Sequence, residues 1–186
     1  MLSKFFKENI LPLLHDDSKD FISYTGDLMK ISFMIDKERN VDTPEIQNFF
    51  LGDVLFNYKM SKEEMEYTLN IFKDHIRKHT KYDLFCVSLL GKYPDEKEYN
   101  FLFEQLKLYM PMDIPLSVEL IKACNNYTVD EEFIYFLKEL QHTIFQKEFR
   151  KFITDIINFY EHRISVLDFP MVYYDNYGNN RYVQWG

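Results

Sequence analysis

The sequence predicts an all-α protein of stacked helical hairpins, and three observations carry that prediction. Glycine and proline are scarce, five and six residues in 186, which leaves few of the tight turns that an all-β or doubly wound fold requires. Apolar side chains return at three- and four-residue steps along most of the chain, the period of an amphipathic helix. The pattern also repeats. Subtracting 34 from Phe133, Phe136, Leu137 and Leu140 gives Tyr99, Leu102, Phe103 and Leu106, and subtracting 34 again gives Met65, Thr68, Leu69 and Phe72, of which only Thr68 is polar.

Phe21, Ile22, Leu28, Ile31 and Ile35 predict a helix over 18–35, weakened at Gly26. Thr43 can cap a helix whose first position is Pro44, where no amide hydrogen is needed, predicting a helix over 43–58. Ser61 and Glu64 have the spacing of a capping box, followed by Met65, Leu69, Phe72 and Ile76. A shorter helix over 82–90 stops at Gly91, and Asp95 caps a longer one that carries Tyr99, Leu102, Phe103 and Leu106 before Pro111 ends it. Pro115 opens a helix to about 124, and Thr128 with Glu131 predicts a second capping box ahead of Phe133. A last helix, rich in Phe and Ile, is expected over 143–164.

These elements predict one domain over 1–186: capping helices in 1–42, three helix-pair units in 43–142, a closing helix in 143–164 and a tail or hairpin in 165–186. The short helices align in register too, Leu84, Val87 and Leu90 falling on Val118, Ile121 and Cys124, and Tyr93 on Tyr127. In such arrays no unit buries its own apolar face, and its neighbours supply the other half of the core. The period resembles that of tetratricopeptide repeats, with Phe103, Leu106 and Pro111 at that family's spacing. Bulky Tyr99 and Val87 stand where that family needs small residues, so a HEAT-like or irregular α-solenoid is expected. In the tail, two β-prone runs, 171–174 and 181–185, flank a turn-rich centre, predicting a short C-terminal β-hairpin or an extended tail docked on the last helices.

A net charge of −8 argues against direct nucleic-acid binding, which rests on clustered Lys and Arg. Hydrophobic residues at 46% and aromatics at 18% exclude a disordered acidic chain. No apolar run approaches the roughly 20 residues that cross a bilayer, and residues 1–14 lack the apolar core of a secretion signal. A soluble, cytoplasmic protein without membrane contact is expected, with Cys86 and Cys124 as reduced core thiols.

Motifs that carry chemistry are few. His75 and His79 are spaced to share a metal, but no third ligand is evident and Lys73, Arg77, Lys78 and Lys81 surround them. Glu139 and His142 form one Glu-x-x-His element where a di-iron site needs two. No nucleophile elbow, phosphate loop or Cys-x-x-Cys pair occurs. No catalytic, cofactor-binding or metal-binding residue is therefore expected.

Acidic clusters recur with the repeat: Glu63, Glu64 and Glu66, then Asp95, Glu96 and Glu98, then Asp130, Glu131 and Glu132. Carboxylates in a first helical turn complement the helix dipole, and a line of them also steers a basic partner. The expected partner-binding residues are Glu63, Glu64, Asp95, Glu96, Glu98, Asp130, Glu131 and Glu132, together with Tyr173, Tyr174, Arg181 and Trp185 of the tail, residue types enriched in interface hot spots. In size, charge and helical build the chain resembles small acidic all-α bacterial toxin-immunity proteins. That resemblance implies a non-catalytic protein that neutralises a basic partner, a nuclease-type toxin domain, by occluding its active site. A helical-repeat adaptor or phage-type antagonist of a host protein, and an enzyme with a carboxylate or histidine site that sets His142 or His162 beside Glu or Asp, are the competing readings.

Overall fold

The computed structural model describes residues 1–15, 58–93, 95–174 and 180–186. The helix expected over 18–35, and the one over 43–58 except for Tyr58, lie outside the described residues. The fold is mostly helical, with one short two-stranded antiparallel sheet near the C-terminus. Among the described residues no helix is long and apolar enough to cross a membrane. They fall into two compact units, one within Met1–Asp83 and one within Leu84–Asp175 together with Asn180–Gly186.

In the first unit a π-helical turn, Phe6–Ile10, runs into α1 (Leu11–His15). Phe6, Ile10, Leu13 and Leu14 are buried, and α1 packs against α2 (Lys62–Arg77), which supplies Ile71, Phe72 and Ile76 to the same core. The capping box predicted at the start of α2 is present. Ser61 Oγ accepts from the Glu64 amide at 3.3 Å and the Glu64 carboxylate accepts from the Ser61 amide at 2.9 Å. At its other end His79 has φ 54°, and the amides of His79 and Thr80 donate to the carbonyls of Ile76 and His75 at 3.1 Å. This left-handed turn satisfies carbonyls that a helix end would otherwise orphan.

The second unit holds most of α3 (Asp83–Leu90), then α4 (Glu96–Tyr109), α5 (Ile114–Cys124), α6 (Glu131–Gln141), α7 (Lys147–Tyr160), β1 (Met171–Tyr174) and β2 (Arg181–Gln184). Sequence register couples each short helix to the longer one that follows it. The tightest neighbours in space are instead α4 with α5 and α6 with α7. A run of consecutive helices can be framed as pairs in two ways, and apolar periodicity is the same in both.

Equivalent helices of successive pairs lie against each other. Phe103 of α4 meets Phe133 and Phe136 of α6 with ring centroids 5.4 and 5.6 Å apart. At the ends of α3 and α5 the Tyr127 hydroxyl donates to the Leu90 carbonyl at 2.9 Å, and the Asn126 amide group donates to the Gly91 carbonyl at 3.0 Å. A Cβ on Gly91 would stand 2.9 Å from both the Cα and the Cβ of Ala123, so glycine there permits the close approach of two chain segments.

Two boundaries depart from expectation. Thr128 does not cap α6. Asp130 does, accepting from the Phe133 amide at 2.9 Å, because the helix begins at Glu131 and the Asp130 carboxylate reaches its third amide. The last helix is also shorter than 143–164. Arg150 Nε donates to the Ile144 carbonyl at 2.7 Å and fixes the connection before α7. At the far end His162, with φ 59°, closes a second left-handed cap in which the amides of His162 and Arg163 donate to Phe159 and Asn158.

The C-terminal hairpin forms in the register Met171 with Gln184, Val172 with Val183, Tyr173 with Tyr182 and Tyr174 with Arg181. It rests on α5. An isolated two-stranded hairpin is marginal in water, and this one is tied down by Trp185, whose ring lies 6.0 Å from Phe149 and 6.2 Å from Phe152 of α7.

Candidate functional site

The recurring carboxylates separate into three kinds once helix rotation is taken into account. Glu64 and Glu98 are buried, 3% and 5% exposed, and do not belong to an exposed edge. Each occupies the third position of its helix, which turns back toward the cap. Glu64 accepts from the Ser3 amide at 3.0 Å and the Ser3 hydroxyl at 2.6 Å. Burial pushes its carboxyl up, but the bonds from Ser3 and Ser61 outweigh burial and hold it below the usual carboxylate range.

A second kind is consumed in pairing. Glu63 pairs with the amino group of Met1. Glu132 pairs with Lys107 at 2.8 Å, and that ammonium also reaches Glu104 at 2.9 Å and lies 4.1 Å from the centre of the Phe103 ring. The bond to Glu132, then that to Glu104, raises the Lys107 pKa. This cluster ties α4 to α6.

Asp95, Glu96, Asp130 and Glu131 remain, all exposed and, among the described residues, without a cation at ion-pair distance. The starts of α4 and α6 are neighbours, since the Tyr99 hydroxyl donates to Asp130 Oδ1 at 3.2 Å. Carboxylates 35 residues apart in sequence thus share one end of the second unit. Glu66 is exposed as well and belongs, with Glu63, to the first unit.

The α6 face that carries Glu131, Ile134, Tyr135 and Lys138 combines with Tyr160 and Glu161, at the end of α7, to form a groove of about 490 Å³. Tyr135 is 64% exposed. The Tyr160 hydroxyl donates to Asn125 Oδ1, and its burial, with a smaller effect from Cys124, pushes its pKa up to about 12. Glu161 pairs with Lys138, and with Arg163 at 2.8 Å. The Lys138 bond in particular holds the Glu161 carboxyl below its ordinary range. Sequence reasoning missed Tyr135, Tyr160 and Glu161. A signal existed for Tyr135, which follows Glu131 by one helical turn, opposite the apolar stripe of Phe133 and Leu137.

The tail divides by strand alternation. Met171 and Tyr182 point outward, 58% and 60% exposed, and the Tyr182 ring stacks on Tyr173 at 5.2 Å. Arg181 is turned inward, its guanidinium 3.6 Å from Asp113, and Trp185 is spent on the α7 rings. Tyr174 enters the sheet through its backbone.

His75 and His79 are engaged within the fold. His75 Nε2 lies 2.8 Å from the Leu14 carbonyl and Nδ1 lies 2.9 Å from Thr80 Oγ1, so both ring nitrogens are engaged. His79 Nδ1 meets buried Asp83 at 2.6 Å. His142 and His162 are exposed at helix ends. Among the described residues no three His, Cys, Asp or Glu side chains converge as a metal site. Cys86 and Cys124 are buried and unpaired with each other, and burial, with Asp130 nearby, raises the Cys124 thiol far above its ordinary pKa.

The fold and surface thus describe a mostly helical protein whose second unit presents carboxylates beside an aromatic groove. Comparison with protein-family models, curated proteins and solved structures finds no match to this chain.

Proposed function

We propose that this chain is a non-catalytic binding protein whose acidic surface docks onto a basic protein. One observation carries the reading: Asp95, Glu96, Asp130 and Glu131 gather at one end of the second unit without internal counter-charges among the described residues. Like charges left uncompensated at adjacent helix starts repel one another, and a basic surface relieves that repulsion while steering association. Within this class the reading extends to an immunity protein that covers the cationic substrate cleft of a nuclease-type toxin. The sign of the charge, the helical build and the resemblance in size support it. No bond is made or broken in such a mechanism.

The test replaces the four carboxylates by Asp95→Asn, Glu96→Gln, Asp130→Asn and Glu131→Gln, the Asn at Asp130 preserving a good cap. The product of the neighbouring open reading frame is expressed with the wild-type or the substituted chain. Wild type is expected to restore growth and to bind with strong salt dependence. The substituted chain is expected to bind at least about tenfold more weakly, with a flatter salt response. Equal binding and equal salt dependence would overturn the reading.

A further inference from the structure

We propose that the groove between the start of α6 and the end of α7 is an anchor site for an arginine side chain of a basic protein, a deepening that rests on the acidic docking reading above. The groove is electrically uneven. At one end Lys138 and Arg163 share the single carboxylate of Glu161, so that end leaves no carboxylate for a ligand. At the other end Asp130 and Glu131 have no cation at ion-pair distance among the described residues.

Asp130 is also fixed in place. Its Oδ1 accepts from the Tyr99 hydroxyl at 3.2 Å and the Phe133 amide at 2.9 Å, which orders the carboxylate before any ligand arrives and lowers the entropy lost on binding. Tyr135, largely exposed one turn beyond Glu131, and Tyr160, held by Asn125, add aromatic surface.

Aromatic faces beside unmatched carboxylates select for a planar cation. A guanidinium stacks on a ring while its forked N–H groups address a carboxylate, and it sheds water more readily than an ammonium. The sign of the unmatched charge disfavours phosphates and free carboxylates. A volume of about 490 Å³ is enough for an extended side chain with part of its backbone.

The experiment titrates the full chain into fluorescein-labelled octapeptides of alternating Gly-Arg and of alternating Gly-Lys, equal in charge, and follows anisotropy at low salt. The arginine peptide is expected to bind about tenfold more tightly than the lysine peptide, with Glu131→Gln and Tyr135→Ala each weakening it about fivefold. Tyr135→Phe, which keeps the ring, is expected to retain binding, and exposed Tyr135 can be changed without disturbing the core. If both peptides bind equally and Tyr135→Ala changes nothing, the anchor is wrong while acidic docking stands. If neither peptide binds, both readings fall.

Discussion

Tyr127 donates its phenolic hydroxyl to the main-chain carbonyl of Tyr93, the residue 34 positions earlier. The two tyrosines occupy the same place in successive helix pairs, and the later one also reaches the Leu90 carbonyl. One hydroxyl hydrogen is thereby shared between two carbonyls at the end of α3 and joins neighbouring repeats. Its burial, with smaller contributions from nearby Glu98, Cys124 and Asp95, drives the phenol well above its ordinary pKa. Tyr127→Phe removes the donor and little else. Chemical denaturation is expected to show a loss of about 1–2 kcal/mol at unchanged m-value.

Gly91 is the second contact between those ends. A Cβ there would sit 2.9 Å from the Ala123 backbone, so Gly91→Ala must push two helix ends apart. A cost of about 1–3 kcal/mol is expected. Ala123→Gly in the same chain should recover only part of it, because the Ala123 Cα is as close as its Cβ. Thermal melts of the single and double variants check this.

Two histidines adopt left-handed backbone, and their substitutions should differ in sign. His162→Gly relieves the unfavourable conformation at an exposed position and is expected to stabilise by up to about 1 kcal/mol. His79→Gly gains the same relief but loses the 2.6 Å contact with buried Asp83, and a net loss is expected. Paired melting curves read the difference directly.

Glu64 makes acid stability testable. Its carboxyl titrates below the ordinary value of 4.5 in the folded chain, so its ionised form contributes stability above that value. The contribution is lost as pH falls through the lower folded value. Glu64→Gln should cost about 1 kcal/mol at neutral pH. The gap from wild type should narrow below pH 4.5, when denaturation midpoints are compared across pH.

Trp185 is the chain's single tryptophan and lies on Phe149 and Phe152, so its fluorescence reports hairpin docking. Trp185→Ala is expected to cost about 2 kcal/mol, less than the roughly 3–5 kcal/mol of a fully buried ring. Asp113→Asn keeps a capping side chain and weakens the long contact with Arg181, for which a cost under about 0.5 kcal/mol is expected. In that variant the emission maximum should stay near its wild-type position.

Much of the fold was legible because its signals are local. Ser61 and Glu64 announce α2, Asp95 announces α4, and Gly91 marks the end of α3, each through backbone groups a few residues away. The 34-residue register between α4 and α6 was legible because the stacked rings of Phe103, Phe133 and Phe136 share one apolar rhythm. The candidate site was legible only in part. Glu96 and Glu98 look equivalent in sequence, yet one is exposed and the other is buried, because two residues along a helix turn a side chain by about 200°. Arg181 and Trp185 have interface chemistry, and strand alternation turns them inward while Tyr182 faces solvent.

The sequence by itself determined the helical class, the placement of most caps and the recurrence of acid at helix starts, all consequences of short-range hydrogen bonding and periodicity. Tertiary structure alone decided which helices pair, that Asp130 is held by Tyr99 from the preceding repeat, and that Tyr135, Tyr160 and Glu161 form one groove. Those outcomes depend on side chains brought together across 25 to 31 residues, where packing geometry rather than local propensity sets the neighbour. The acid is written in the sequence, but the charges left unmatched at the surface emerge only after folding has buried some carboxylates and paired others.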